Sequence, residues 1–366
     1  MRNGSTNQSG EILAANADFV PTALTTADQD SDSRPIHWQT AMKRAIRSES
    51  ELRRRLGLES SPAPQTLPAT TLPQPESDFG TFVPLEFLAL MEHGNSRDPL
   101  LMQVLPSPAE QEEHPGYTAD PVGDLSSVAT RGVLHKYEGR ALVVTTGACG
   151  VHCRYCFRRE FPYQATGARS EKWQSTLGYL RESRDIEEVI LSGGDPLTVT
   201  DDTLGQLLRE IESIEHVRRL RIHSRMPIVI PQRITHELIN RLAASRLATW
   251  MVIHANHPRE LSGNVLEKLE QLVDAGIPVL NQAVLLRGIN DHADVLIELC
   301  RKLVNHRVQP YYLHQLDRVR GSAHFEVSVE RGHELMTALR RSLPGYAVPQ
   351  YVTEEPGSPS KTPLRP

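Results

Sequence analysis

The segment Thr146-Gly-Ala-Cys149-Gly-Val-His-Cys153-Arg-Tyr-Cys156-Phe follows directly after a β-branched run at residues 141–146. It holds three of the four cysteines of the chain within eight residues. A disulfide framework spreads its cysteines along the chain, so this spacing favours a metal or redox centre. Three thiolates can bind a 4Fe–4S cluster and leave one iron open to a further ligand, whereas a closed zinc site needs a fourth protein ligand.

A zinc site is the main alternative, and its fourth ligand would be His152 or Cys300. His152 lies in a loop that the thiolates already crowd. Cys300 falls in the middle of a predicted helix, where a cysteine usually packs as a small apolar residue. The sequence therefore favours an open-iron cluster over zinc and over accidental clustering.

From Arg140 onwards, short β-branched runs alternate with amphipathic helical segments. The predicted strands are 141–146, 188–192, 219–224, 249–254, 278–286 and 308–316. The predicted helices are 171–182, 202–214, 235–244, 259–275, 293–305 and 328–342. Each crossover is long enough to make the next strand parallel. Six such units form either an open doubly wound sheet or an incomplete barrel, and both place chemistry at the carboxyl ends of the strands.

The rest of the chain has a different pattern. The predicted regions are a disordered segment at 1–35, a helical N-terminal region at 36–134 with a Pro-rich linker at 60–77, a core at 135–350 and a C-terminal segment at 351–366. Within the N-terminal region, helical spacing over 38–58 predicts one or two helices. A second helical stretch is predicted over 83–105, broken at Asp98-Pro99.

Composition limits the class of function. Of the 366 residues, 39% are hydrophobic and 23% charged, which is enough apolar material for a sizeable core. The formal charge of −5, without a basic cluster that contains aromatic residues, argues against nucleic-acid binding. No apolar run approaches the roughly 18 residues of a membrane span, and the N-terminal stretch lacks the apolar core of a secretory signal. A cytoplasmic protein is expected.

The second predicted strand ends in Ser192-Gly193-Gly194-Asp195. Two glycines let the backbone approach a ligand, and a carboxylate can receive an ammonium group. Alone, the motif fits a β/α turn with Asp195 as a helix cap equally well. Beside the cysteine segment, it resembles the glycine-rich motif of the radical S-adenosylmethionine (SAM) superfamily.

That resemblance implies the fold, an α/β chain forming a partial (β/α)6 TIM-type radical SAM barrel with an N-terminal helical extension. It also implies a 4Fe–4S cluster on Cys149, Cys153 and Cys156. S-adenosylmethionine would bind at the open iron, with Gly193 and Gly194 beside it.

Lysines point to a second cofactor, because aldehyde chemistry needs an amine held in a site. Four of the six lysines fall on predicted amphipathic helices, namely Lys43, Lys172, Lys268 and Lys302. Lys136 and Lys361 remain as candidates. A lysine in a Pro/Ser-rich tail, as at Glu355-Pro-Gly-Ser-Pro-Ser-Lys361-Thr-Pro, would by itself be expected to lie in solvent.

From about residue 98 to residue 364, however, the chain resembles the lysine 2,3-aminomutases. The matching segments are Leu134-His-Lys-Tyr-Glu-Gly-Arg140, Arg158-Arg159, Arg221-Ile-His-Ser-Arg-Met-Pro, Leu280-Asn-Gln-Ala-Val-Leu-Leu-Arg-Gly-Ile-Asn-Asp291, Tyr311-Tyr-Leu-His-Gln-Leu-Asp and the Lys361 tail. Three features resemble the branch that makes (R)-β-lysine for elongation factor P. They are the form of the tail, Ala323-His-Phe, and a chain that ends shortly after Lys361 rather than continuing into a zinc-binding extension.

The resemblance assigns roles to individual residues. Lys361 would hold pyridoxal phosphate and Arg158 the substrate carboxylate, while Asp291 and Glu354 would hold the distal ammonium. Glu354 departs from the aspartate of the family. The cofactor contacts would come from Asp195, Lys136, Arg140, Ser224, Arg225, His254 and Asn256. Without the resemblance, we would interpret Arg158 as a surface arginine and Asp291 as the N-cap of a helix.

The implied reaction is a radical 2,3-amino migration on L-lysine by an isomerase. Its partners would be a one-electron donor such as flavodoxin or ferredoxin and a ligase that attaches the product to elongation factor P. The sequence does not decide between a monomer and a homo-oligomer. The alternatives are a stand-alone lysine 2,3-aminomutase for catabolism or solute synthesis, a radical SAM peptide-modifying enzyme without pyridoxal phosphate, and a non-catalytic iron–sulfur or zinc protein.

Overall fold

The computed structural model describes residues 37–59, 79–166 and 173–365. The predicted disordered segment at 1–35, the Pro-rich linker at 60–77 and Lys172 lie outside these ranges. The strands are β1 (Val128–Thr130), β2 (Val133–Tyr137), β3 (Arg140–Thr146), β4 (Glu188–Gly193), β5 (Arg219–Ser224), β6 (Ala248–His254), β7 (Val279–Val284), β8 (Gln309–His314), β9 (Gln350–Thr353) and β10 (Thr362–Pro363).

Helices precede the sheet and alternate with its strands along the chain. They are α1 (Trp38–Arg44), α2 (Glu49–Arg55), α3 (Leu85–Leu88), α4 (Tyr163–Thr166), α5 (Gln174–Glu182), α6 (Asp201–Glu212), α7 (Met226–Val229), α8 (His236–Ala243), α9 (Gly263–Asp274), α10 (Ala293–Asn305) and α11 (Val329–Ser342). Short 3-10 turns lie at Leu101–Gln103, Pro108–Gln111, Leu125–Ser127, Pro196–Thr198, Pro231–Arg233, Pro258–Glu260, Ala323–Phe325 and Gly345–Ala347. Among the described residues, no helix combines the length and apolarity that crossing a membrane requires.

The strands form one sheet in simple chain order, β1 to β10. β3 to β9 run parallel, and antiparallel pairs close both edges, β1–β2–β3 on one side and β9–β10 on the other. Each of β3 to β8 is followed by one of the long helices α5, α6, α8, α9, α10 and α11. The structure therefore confirms the partial (β/α)6 barrel, and the open doubly wound alternative is not formed.

Side-chain alternation along the strands leaves the bore of the barrel polar. In β5, Leu220 and Ile222 are buried under the helices, whereas Arg219, Arg221 and His223 line the inner cavity. β7 also alternates between buried and cavity-lining residues, but only Gln282 of its cavity-lining residues is polar, since Leu280 and Val284 are apolar. A closed barrel core is filled by layers of branched apolar side chains. Polar residues on the inner face indicate a bore that holds a ligand.

Residues 83–105 differ from the helical prediction, since only the single turn α3 and one 3-10 turn form there. The cause is the carboxylate of Asp98, which accepts hydrogen bonds from the backbone N–H groups of Glu92, Leu100 and Leu101. An aspartate that binds nearby backbone amides competes with helix formation. The prediction of helical structure over 38–58 is confirmed, as α1 and α2.

The tail with Lys361 belongs to the sheet. β10 pairs antiparallel with β9, with Thr362 opposite Thr353 and Pro363 opposite Val352. Sequence periodicity did not predict these two strands, because two to four residues are too short to show alternation. Their pairing folds the chain back and places Lys361 beside Glu354, which directly follows the carboxyl end of β9.

Candidate active site

The three clustered cysteines line the wall of one cavity of about 980 Å³. Their loop leaves the carboxyl end of β3 and is fixed by the Arg154 backbone N–H, which donates to the Gln103 carbonyl at 2.8 Å. Burial raises the pKa of Cys149, and the nearby Cys156 and Cys153 raise it further. Burial also raises the pKa of Cys156 to about 11. Since Cys153 and Cys156 oppose the ionisation of their neighbours, a positively charged centre among the three sulfurs would stabilise the thiolate form.

No three His, Cys, Asp or Glu side chains in the described ranges converge tightly enough to hold a single metal ion. This geometry is compatible with an iron–sulfur cluster, because each thiolate of a cluster binds a different iron.

The glycine pair at the end of β4 packs against the backbone at the start of the cysteine loop. A Cβ at Gly194 would lie 2.3 Å from the Ala148 carbonyl oxygen. Gly193 has φ +116°, and a Cβ there would lie 2.7 Å from the Thr146 carbonyl oxygen. Both obstacles are backbone atoms that cannot rotate away. The glycines are therefore required by the close approach of β4 to the loop.

We expect Gly194→Ala to lower the free energy of unfolding by about 1–3 kcal/mol, the usual cost of overpacking. Gly178→Ala is the matched control, because a Cβ at Gly178 in α5 meets no atom within 4 Å. Alanine there should leave stability unchanged or raise it by about 0.5–1 kcal/mol. Chemical denaturation measures both variants, and equal effects would contradict the close approach.

Asp195 has a structural task at this edge. Its Oδ1 accepts from Ser224 Oγ at 2.7 Å, and its Oδ2 accepts from the Arg225 backbone N–H at 2.8 Å. It also caps the turn after β4, where the Leu197 N–H donates to Oδ1 at 3.0 Å. Asp195 therefore ties the ends of β4 and β5 together while it lines the cavity.

Five charged side chains that line the same cavity form a chain of ion pairs of alternating sign. Arg158 Nε lies 2.6 Å from Asp124 Oδ2, and Lys136 Nζ lies 2.6 Å from Asp124 Oδ1. Lys136 Nζ is also 2.9 Å from Glu354 Oε1, and Lys361 Nζ is 2.5 Å from Glu354 Oε2. Burial alone would raise the pKa of Glu354, but Lys361 and Lys136 lower it to about 2. The arrangement brings together four of the predicted site residues, Lys361, Glu354, Lys136 and Arg158.

Lys136, which the resemblance places beside a cofactor phosphate, has its ammonium between the carboxylates of Asp124 and Glu354. Asp124, which joins Lys136 to Arg158, was missed because it lies outside the predicted strands and outside the motifs. The predicted phosphate contact Arg140 does line the cavity, with its guanidinium 4.6 Å from the centre of the Tyr137 ring.

A second missed residue is Asp317, which follows β8 and lines the cavity. Burial raises the pKa of its carboxyl to about 7, and the negative charge of Glu354 adds to this effect. The two carboxyl groups thus face a common space next to Lys361. Asp317 stands in the segment Tyr311-Tyr-Leu-His-Gln-Leu-Asp, so the motif itself was the signal that could have identified it.

Two predicted site residues lie away from the cavity. Asp291 Oδ1 accepts from the Gly288 backbone N–H at 3.0 Å, so this carboxylate stabilises the turn after β7. Asn256 is buried behind the cysteine loop, where its Nδ2 donates to Tyr155 OH at 2.6 Å. Neither residue lines the cavity.

Neutral histidines complete the inner face of the barrel. His223, His254 and His314 stand at the carboxyl ends of β5, β6 and β8 and line the cavity. Burial lowers the pKa of all three, and to about 3 for His254. They present uncharged imidazoles to a ligand, together with the predicted Ser224 and Arg225.

The sequence and the structure were compared with those of known proteins. A model of the Radical SAM superfamily matches residues 143–300. L-lysine 2,3-aminomutase of Haemophilus influenzae is 41% identical over 89% of this chain and 95% of that protein. The Escherichia coli L-lysine 2,3-aminomutase is 46% identical over 78% of this chain and 83% of that protein. Among solved structures, Streptococcus suis SuiB bound to S-adenosylmethionine aligns with 63% of this chain and 53% of that one, at 13% identity and a TM-score of 0.43.

The two aminomutases are matched over 95% and 83% of their own length. The residues that the family model matches include the cysteine loop and strands β4 to β7. The chain therefore belongs to the L-lysine 2,3-aminomutase family, a family of isomerases, and carries a radical SAM domain.

Proposed function

We propose that the protein is a SAM- and pyridoxal-phosphate-dependent aminomutase that converts L-lysine to (R)-β-lysine for the modification of elongation factor P. One observation supports this more than any other. The Lys361 amine and the thiols of Cys149, Cys153 and Cys156 line the same cavity. An amine that can hold an aldehyde cofactor and a thiolate set that can hold a cluster thus face one space.

The donor set fits a 4Fe–4S cluster with one open iron, because the three thiolates are soft ligands on a buried loop. The cavity beside them is large enough for a nucleotide, and Gly193, Gly194 and Asp195 form its floor. When bound, the cluster and S-adenosylmethionine would supply a carbon radical, and pyridoxal phosphate would stabilise the unpaired electron during the nitrogen shift. The barrel residues hold the reacting groups in line and exclude water.

Pyridoxal phosphate fits on the other side of the cavity. Lys361 would hold its aldehyde, and Glu354 now keeps the Lys361 amine oriented at 2.5 Å. Arg140 and Arg221 both line this part of the cavity and would meet the phosphate. The paired tyrosines Tyr311 and Tyr312, with ring centres 3.7 Å apart, form an apolar surface for the ring.

The two ends of lysine would be held by opposite charges. Arg158 is fixed through Nε by Asp124, and an arginine held in this way can still present its terminal nitrogens to a carboxylate. The distal ammonium would bind between Asp317 and Glu354, where a cation relieves the repulsion between the carboxyl groups. Asp317 thus takes the place that the sequence assigned to Asp291.

The pH dependence of kcat/KM should follow the ionisation of the Asp317 carboxyl group. Its folded-state pKa is raised to about 7, so the carboxyl is neutral below that pH and binds the ammonium poorly. We expect kcat/KM for L-lysine to rise as the pH increases through about 7, since kcat/KM follows groups of the free enzyme. In Asp317→Asn this rise should disappear. Above pH 7, kcat/KM should be roughly 10- to 150-fold lower than in the wild-type protein, which corresponds to about 1.5–3 kcal/mol for one charged hydrogen bond.

Asp291→Asn serves as the comparison, because Asp291 lies outside the cavity and should leave kcat/KM unchanged. A loss in Asp291→Asn with an unaffected Asp317→Asn would show that the first assignment was right and the second wrong.

The elongation factor P role is supported by the Lys361 tail and by Ala323-His-Phe, which resemble that branch. The test is to incubate the reduced, reconstituted protein with L-lysine and S-adenosylmethionine and to resolve the product on a chiral column. (R)-β-Lysine that the elongation factor P ligase accepts supports the proposal. The opposite enantiomer would favour a stand-alone aminomutase, and the absence of any β-lysine would overturn the proposal.

A further inference from the structure

A buried polar cluster lies directly behind Cys153. None of its residues is among the contacts to lysine proposed above. It consists of Arg225, Glu260, Gln103, Asn256 and Tyr155 and is called here the Arg225 cluster. Arg225 is 5% exposed, and Glu260 and Gln103 are fully buried. The cluster joins the end of β5, the turn after β6, the 3-10 turn at Leu101–Gln103 and the cysteine loop.

The guanidinium of Arg225 points at sulfur. Its Nη1 donates to Cys153 Sγ at 2.8 Å. Its Nη2 donates to Glu260 Oε2 at 2.9 Å and to Gln103 Oε1 at 2.6 Å. Glu260 and Gln103 therefore fix Nη2, and Nη1 is left to donate to the sulfur of Cys153.

Glu260 fixes this arrangement from behind. Its Oε1 accepts from the backbone N–H groups of Asn256 and His257 at 2.9 and 3.0 Å, and from Gln103 Nε2 at 3.0 Å. The guanidinium also lies 5.7 Å from the centre of the Tyr155 ring. Burying an ion pair costs several kcal/mol of desolvation, and apolar side chains of similar volume are often at least as stabilising. Stability alone gives little reason for a charge at this place.

We propose that Arg225 is a positioning residue that raises the reduction potential of the cluster through a charge-assisted hydrogen bond to the Cys153 sulfur. This inference rests on the proposed function, since it requires a cluster on Cys153. Reduction adds one negative charge to the cluster, and a fixed cation in hydrogen-bond distance stabilises that charge in a buried site. Hydrogen bonds to cluster sulfurs are among the factors that set iron–sulfur potentials. Glu260 holds Arg225 in place and partly offsets its charge.

The experiment is a potentiometric titration of the reconstituted full-length protein with dithionite, without S-adenosylmethionine, followed by electron paramagnetic resonance. We expect the midpoint potential to fall in Arg225→Met and to rise in Glu260→Gln. Each shift should correspond to about a tenfold change in the ratio of reduced to oxidised cluster at a fixed potential, about 59 mV for one electron.

The opposite signs are the decisive feature, because both substitutions break the same ion pair. A purely structural role would loosen the site in both variants and shift the potential in the same direction or not at all. Either of those results would overturn the inference. If Arg225→Met does not retain a cluster, the rise expected in Glu260→Gln remains a sufficient test.

Arg233→Met is the matched control. Arg233 is also a buried arginine, paired with Asp201 at 2.7 Å and lying 4.7 Å from the centre of the Trp38 ring, and its hydrogen bonds go to carbonyl groups after β4. Its loss should lower stability and leave the potential unchanged. A wild-type protein that binds no cluster would contradict the proposed function itself, whereas a normal cluster with equal potentials in all variants would contradict only the role of Arg225.

Discussion

Lys361→Ala is expected to abolish both the near-visible absorbance band of bound pyridoxal phosphate and the formation of β-lysine. The reason is chemical, since Lys361 is the amine that the β9–β10 pairing brings into the cavity, 2.5 Å from Glu354. An aldehyde cofactor needs such an amine to be held between turnovers. Absorbance after reconstitution with pyridoxal phosphate, followed by a product assay, measures both effects.

Lys361→Arg separates covalent chemistry from charge. Arginine keeps a cation beside Glu354 but stays protonated, so it should also lack the absorbance band and the activity. Lys268→Ala is the control, because Lys268 Nζ donates to a glutamine side chain on α9 at 3.1 Å and Lys268 is not among the described residues that line the cavity. A normal band in Lys361→Ala would show that another amine holds pyridoxal phosphate, whereas the absence of a band in the wild-type protein would favour a radical enzyme without pyridoxal phosphate.

Cys153→Ser should remove the cluster and with it all turnover. The Sγ of Cys153 is the one sulfur of the loop that receives a hydrogen bond from Arg225, and serine oxygen is a harder ligand that suits an iron–sulfur cluster poorly. We expect iron and sulfide after anaerobic reconstitution to drop to background and product formation to be lost with them.

Cys300→Ser provides the matched control for this loss. Cys300 is buried in α10, away from the loop, and burial raises its pKa to about 12, as expected for an inert thiol. The variant should lose some stability and keep its iron and sulfide. Zinc without sulfide in the wild-type protein would instead indicate a non-catalytic metal protein.

The sequence was sufficient for the repeating part of the fold. Strand β5 and helix α10 form at the predicted residues, because their patterns extend over enough residues to be periodic. The polar inner face of β5 also contained a signal for an open bore, since Arg219, Arg221 and His223 alternate with apolar residues. A strand of a filled barrel would be apolar on both faces.

Tertiary placement was harder to predict than periodicity. Asp291 and Asp317 both follow a strand end in a matching motif, yet only Asp317 lines the cavity, because the turn after β7 uses the Asp291 carboxylate for its own backbone. Asp124 was missed because its partners Arg158 and Lys136 are distant in sequence. Local hydrogen bonding by short polar side chains, as at Asp98, was likewise invisible in the apolar pattern.

The juxtaposition of the cysteine loop and Lys361 can be examined with L-lysine deuterated at the β-carbon. The reduced, reconstituted protein is incubated with this substrate and S-adenosylmethionine, and the products are analysed by mass spectrometry. We expect deuterium in the nucleoside released from S-adenosylmethionine and in β-lysine, because the two cofactors would meet in one cavity. An unlabelled nucleoside beside unchanged lysine would show that the two sites do not work together.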